Sequence, residues 1–207
     1  MAMKALKNVG YDKRPIMLLL QSDEETGSST SKRATINYIC EKAKDALAFI
    51  NLEGYTVGKS CLQRKGILNF HFTINGVEAH ASQCAIKGAN AVAEAAHKIL
   101  EIEKIKDAEG LTCCCSVISG GSAVNTVAGQ CEFKVNVRFV TAEQQRWICE
   151  YMQEIADRVY VEGCKTTVKQ LSYRVAMEYS NKNVELLEKV NKCFEKSGLP
   201  QLVASKG

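Results

Sequence analysis

Three acidic residues stand side by side in Ser22-Asp23-Glu24-Glu25-Thr26-Gly27-Ser28. Adjacent carboxylates can divide their work, one ligating a metal ion while the other accepts a proton from metal-bound water. Asp45, about twenty residues further on, would add another hard oxygen ligand. The same run also describes a solvated helix start, where acids favour the helix dipole. A second stretch, Gly76-Val77-Glu78-Ala79-His80-Ala81-Ser82, brings His80 out of a glycine turn, where side chains reach outward. A loop histidine can be a general acid or base, or simply a surface residue. Gly120-Gly121…Asn125 reads either as a flexible connector or as a close backbone approach to a ligand, with the Asn amide as donor and acceptor. Arg138 is a solvated charge or, in a substrate pocket, a fork for a carboxylate.

The elements that would position these residues follow from the hydrophobic periodicity. Ile16-Met17-Leu18-Leu19-Leu20 is a continuous apolar run that predicts a strand buried on both faces, with the three acids at its carboxyl end. Open α/β sheets place their ligands there. A helix over about Thr30–Lys44 and a second apolar segment, Ala46–Ile50, complete a partial βαβ unit. From Gly66 the pattern changes. Leu68, Phe70, Phe72 and Ile74 alternate with Asn69, His71 and Thr73, predicting a one-sided strand. A helix from Gly88 to about Lys106 carries an apolar stripe at Val92, Ala96, Ile99 and Ile102, with Glu94, His97, Glu101 and Lys104 outside. Strands at Leu111–Ile118 and Cys131–Val140 follow. In the second, Cys131, Phe133, Val135, Val137 and Phe139 point inward.

Thr141 and Gln144 form a capping box for a helix whose stripe is Ile148, Met152, Ile155 and Val159. Gly163 ends it, and a last strand runs from Lys165 to Arg174. The order strand, helix, strand, strand, helix, strand predicts an α+β, ferredoxin-like (βαββαβ) sandwich of two helices on one antiparallel sheet, flanked by partial α/β segments. One more amphipathic helix, Asn181–Gly198, turns Val184, Leu187, Val190 and Phe194 inward before the short stretch Leu199–Gly207. The expected boundaries are 1–62, 63–176 and 177–207. The segments 1–62 and 177–207 are expected to pack poorly or to lean on each other, because Ile16–Leu20 would otherwise expose a large apolar patch.

Composition excludes several classes. A net charge of +4, with 24% charged residues and no basic block interleaved with aromatics, argues against nucleic acid. No apolar run approaches the length of a membrane span, and the amino terminus does not read as a signal peptide. The 10 cysteines include no Cys-x-x-Cys, and Cys113-Cys114-Cys115 alternate across a strand, so they cannot close around one zinc ion. They read as buried or half-buried free thiols in a reducing cytoplasm.

Taken in order, the acidic loop, Asp45, Arg64-Lys65-Gly66, the His80 loop, Gly88-Ala89-Asn90-Ala91, Gly120-Gly121…Asn125-Thr126-Val127 and Val135-Asn136-Val137-Arg138 form a set. That set resembles the di-zinc metallopeptidase and amidohydrolase family of acetylornithine deacetylase, succinyl-diaminopimelate desuccinylase, aminoacylase and glutamate carboxypeptidase. The resemblance implies a catalytic α/β domain holding two zinc ions, interrupted by a ferredoxin-like dimerisation (lid) domain. It implies Glu24 as general base, with Glu25 and Asp45 as zinc ligands. His80 would reach across a homodimer to polarise the scissile carbonyl, and Asn125 and Arg138 would contact a small N-acyl amino acid or peptide substrate. The family's His-x-Asp zinc motif and its glycine-rich loop with a final zinc histidine find no counterpart here. The chain is therefore expected to be an internal piece, inactive alone. A stand-alone dimerising ligand-binding module without catalytic activity is the rival reading.

Overall fold

The computed structural model describes residues 2–53, 56–108 and 110–207. The chain divides into two compact units, Met1–Gly54 and Tyr55–Gly207. The first contains α1 (Ala2–Asn8) and α2 (Ala34–Ala43) and, among its described residues, no strand. The predicted strand at Ile16–Leu20 is corrected here. That run and Ala46–Ile50 have no ladder partner. Ile16, Met17, Leu18 and Leu20 are 47–84% exposed, as are Leu47, Phe49 and Ile50 at 57–85%. A strand buried on both faces needs neighbours to satisfy its backbone and cover its side chains, and the described part of this unit supplies none. The helix predicted from Thr30 begins only at Ala34, because Gly27, Ser28, Lys32 and Arg33 all have positive φ and hold the preceding residues in turns.

The second unit is built on a four-stranded antiparallel sheet. Its strands are β2 (Gly66–Asn75), β3 (Thr112–Gly120), β4 (Gln130–Phe139) and β5 (Lys165–Arg174), in the order β3-β4-β2-β5. With α3 (Ala91–Ile102) after β2 and α4 (Ala142–Asp157) after β4, this is the expected ferredoxin-like βαββαβ arrangement. Alternation dictates the faces. Leu68, Phe70, Phe72 and Ile74 of β2 and Cys131, Phe133, Val135, Val137 and Phe139 of β4 are all buried beneath the helices. Phe72 and Phe133, opposite each other in register, stack at 4.6 Å between ring centroids. The capping box forms as predicted, with the Thr141 hydroxyl accepting from Gln144 N–H and the Gln144 amide oxygen accepting from Thr141 N–H.

Both helix stripes differ in part from expectation. On α3 the buried residues are Ala91, Glu94, Ala95, Lys98 and Ile102, whereas Val92 and Ala96 are exposed. Glu94, expected outside, is 1% exposed, and Lys98 is fully buried. Lys98 Nζ donates to the carbonyls of Ile155 (2.6 Å), Ala156 (3.2 Å) and Arg158, the acceptors left open at the end of α4, and pairs with Glu94 at 3.0 Å. The other Glu94 oxygen accepts from Tyr160 and Val161 N–H at 2.9 and 2.6 Å. On α4, Ile148, Met152 and Ile155 are inward, but Val159 lies beyond the helix and is exposed, Ala156 taking its place.

The unit also holds a small parallel sheet of β1 (Lys59–Gln63) and β6 (Val203–Lys206), with α5 (Asn181–Lys196) beside β1. The stretch Leu199–Gly207 thus contributes a strand that the sequence did not announce. The antiparallel bridge between Arg64 and Met177 holds the entry to the four-stranded sheet beside its exit. No helix among the described residues is long and apolar enough to cross a membrane.

Candidate functional site

The topology decides which predicted residues can meet. The β2–α3 connection (76–90) and the β3–β4 connection (121–129) emerge at the same end of the sheet, because Asn75 pairs with Gln130 and Gly120 with Cys131. Backbone hydrogen bonds stitch the two together. Val127 N–H donates to Ala79 O and Ala81 N–H to Asn125 O, both at 2.8 Å, so His80 and Thr126 form an antiparallel bridge. His80 and Asn125 therefore lie side by side, both exposed.

The His80 ring has a defined orientation. Its Nδ1 accepts from Ser82 N–H at 3.2 Å and lies 2.8 Å from the Ser82 hydroxyl. A backbone N–H can only donate, so the neutral ring carries its proton on Nε2, which is left as an outward-facing donor. At the same end of the sheet lies a depression of ≈ 330 Å³, lined by Glu78, Ser119, Ser122 and Glu132 among others but by neither His80 nor Asn125. Glu78 reaches it by crossing Gly129, where a Cβ would come within 2.4 Å of Glu78 Cγ. The Gly120-Gly121 pair has a more local cause than the ligand approach expected of it. A Cβ on Gly120 would meet Cys131 Sγ at 2.8 Å, and Gly121 has φ +80°.

Arg138 is not part of this cluster. It sits on β4, seven residues beyond the rung that pairs with Gly120, about 24 Å along the strand at the usual rise. It is exposed on the open face of the sheet, and its Nε donates to Asn136 Oδ1 at 3.0 Å. Asn136 Nδ2 donates to Asn69 Oδ1 at 2.7 Å, and Asn69 Nδ2 to Ser172 Oγ at 2.9 Å. Sequence reasoning passed over Asn69, Asn136 and Ser172. Their signal was faint, amides and a hydroxyl at outward positions of alternating strands. On the same face, His71 Nε2 lies 3.0 Å from Glu132.

In the first unit the acidic triplet splits. Asp23 is turned inward, accepting from Ser31 N–H at 3.2 Å and Gln21 Nε2 at 3.3 Å. Hydrogen bonding with the Ser31 side chain, ahead of that from Gln21 and from the Ser31 N–H, holds its carboxyl below the usual aspartate value against the opposing effect of burial. Glu24, Glu25 and Asp45 are exposed, Asp45 in the turn after α2. Among the described residues, no group of three or more His, Cys, Asp or Glu side chains is placed to hold a metal ion.

The cysteines are all free, and Cys40, Cys61, Cys84, Cys114 and Cys193 are exposed rather than buried as expected. The alternation in Cys113-Cys114-Cys115 is as predicted, with the outer two on the inner face.

A family profile described as a peptidase dimerisation domain matches residues 62–164. Among solved structures, the chain is similar to the aminopeptidase PepT from Bacillus cereus, at 21% identity and a TM-score of 0.59 over 75% of this chain and 42% of that one. It is similar to a tripeptidase from Staphylococcus aureus at 21% identity and TM-score 0.56, covering 75% and 42%. An aminobenzoyl-glutamate utilization protein from Klebsiella pneumoniae follows at 20% and 0.54, covering 74% and 40%. The chain thus spans about two fifths of the length of these proteins. No curated protein matches it closely enough to count as a relative.

Proposed function

Since residues 62–164 of this chain belong to the peptidase dimerisation domain family, we propose that it is the dimerising, substrate-contacting part of a cytoplasmic hydrolase that cleaves N-acyl or peptide bonds next to a free carboxylate. The observation that carries the reading is the tautomer of His80. With Nδ1 accepting from Ser82 N–H, its neutral ring is left with an Nε2–H donor, which we assign to an acceptor in the second protomer. A donor of that kind, aimed where negative charge develops on a carbonyl oxygen, is what an acyl-transfer site needs. Asn125 supplies a neighbouring amide at the same place, whereas Arg138, at the far end of β4, receives the free carboxylate of a substrate held by its own protomer, so that each site would take His80 and Asn125 from one protomer and Arg138 from the other. The second protomer of a homodimer is the proposed destination of the His80 side chain.

Glu24 is assigned the proton-carrying role, and Glu25 and Asp45 are this chain's contribution of carboxylates to a zinc centre. The rival reading is a dimerising ligand-binding module without turnover.

Kinetics separate the two. In the complete hydrolase, His80→Ala should lower kcat on an N-acyl amino acid by about 100-fold, whereas Arg138→Ala should chiefly raise KM. Unchanged kcat in His80→Ala sinks the assignment. Saturable binding of N-acyl amino acids without hydrolysis by the complete protein would establish the binding module instead.

A further inference from the structure

The hydrogen bonds behind Arg138 run in one direction. Arg138 Nε donates to Asn136, Asn136 Nδ2 to Asn69, and Asn69 Nδ2 to the Ser172 hydroxyl, so the chain crosses from β4 through β2 to β5. A guanidinium has no acceptor, so it sets the orientation of both amides, and flipping either would place donor against donor. Bonds aligned head to tail polarise one another. Register makes this possible. Asn69 lies directly opposite Asn136 on one side and Ser172 on the other. The second pairing depends on a bulge. β5 slips between the pairs Asn69–Ser172 and Phe70–Gln170, leaving Leu171 over and bringing Ser172 opposite Asn69. A matching slip on β3 leaves Ser116 over opposite Val135 and Lys134. Between the two bulges lies a depression of ≈ 270 Å³ that includes Asn69, Asn136, Ser172 and Lys134.

We propose that Asn136, itself fixed by Asn69 and Ser172, is a positioning residue that presents Arg138 to a carboxylate end-on, through Nη1 and Nη2. This rests on the carboxylate-binding role given to Arg138 above. With Nε turned into the sheet, the side-on edge of the guanidinium (Nε with one Nη) is closed, and the two terminal nitrogens are the pair open to a bidentate partner. A free Arg138 could offer either edge, and its long side chain would lose more entropy on binding.

The experiment is NMR on the whole chain, following the Arg138 Nε–H signal in wild type, Asn136→Ala, Asn136→Asp and Arg138→Lys, with N-acetylglycine as the probe. In wild type the signal should be dispersed, slow to exchange, and shifted saturably by the probe. Asn136→Ala should return it to the exposed-arginine region and weaken probe binding about 10-fold. Asn136→Asp, which keeps an acceptor for Nε but adds a negative charge beside the guanidinium, should restore the dispersed signal and leave probe binding weak. An Nε–H signal and probe affinity unchanged in Asn136→Ala overturn the positioning role while leaving the carboxylate reading intact. A wild-type signal that is ordered but indifferent to the probe overturns the carboxylate reading, and the positioning role falls with it. Arg138→Lys, which has no Nε–H, should remove the signal and so assign it, and it should lose the saturable probe shifts of the backbone amides around residue 138; shifts that persist there unchanged overturn the carboxylate reading.

Discussion

Lys98 and Glu94 sit one turn apart on α3, both out of contact with water, and every charged atom there finds a partner. Removing one member of such a pair strands the other. Lys98→Ala should therefore cost about 3–5 kcal/mol in urea unfolding, and the double change Glu94→Leu with Lys98→Met should cost less than either single truncation. Asp23 makes a prediction about pH. Its folded carboxyl is held below the usual value by hydrogen bonds, first of all that from Ser31, so its contribution to order is present above about pH 3.9, the ordinary aspartate value, and lost as pH falls through the lower folded value. Amide protection factors at Ser28 and Ser31, corrected for the intrinsic pH dependence of exchange, should fall across that acid range in wild type, and Asp23→Asn should remove the dependence. The thiols sort by surroundings. The Cys113 thiol raises Cys115, with burial next, and burial chiefly raises Cys131, Cys149 and Cys164. Iodoacetamide at neutral pH should label Cys40, Cys61, Cys84, Cys114 and Cys193 and spare Cys113, Cys131 and Cys164, as read by mass spectrometry.

Among the elements, β2, β4, β5, α4 and α5 were legible because each satisfies a single demand. β2 and β4 have one wet face and one dry face, so a period of two is written directly into their residues. For α4 the capping box marks the start, and Thr141→Ala should cost about 1 kcal/mol. Phe133→Ala, which leaves Phe72 without its stacking partner, should cost about 3–5 kcal/mol. By contrast, α3 was misphased, because its inner face answers to a second helix as well as to the sheet. Small Ala91 and Ala95 let the backbones approach, and Lys98 is drawn inward by the open carbonyls at the end of α4. A stripe counted from large aliphatic residues cannot register a lysine recruited as a cap. β6 escaped notice for a related reason. Val203–Lys206 is too short to show alternation, and its pairing with β1 spans most of the second unit.

For the whole molecule, the two units carry different expectations. In the first, the described stretches around Ile16–Leu20 and Ala46–Ile50 are exposed and unpaired, so limited proteolysis should cut there while the four-stranded sheet survives. In the second, β3 and β5 are the outer strands of the four-stranded sheet, and among the described residues no further strand adjoins them, which suits a domain matched by a peptidase dimerisation profile. Sedimentation should show concentration-dependent dimers, and monomer alone at high concentration would count against the proposed reach of His80.

Alternation and capping chemistry in the sequence by themselves determined the ferredoxin-like layer, its inner face and most element boundaries, because these are set by neighbours a few residues apart. The ordered motifs carried the family resemblance. Tertiary structure decided what depends on partners far along the chain. It put His80 against Asn125 through a bridge between two loops and set Arg138 at the other end of β4. It turned Asp23 inward away from Glu24 and Glu25, and it built the Ser172–Asn69–Asn136 support from three strands and a bulge. Register and hydrogen-bond direction are properties of paired strands, and no single strand's residues contain them.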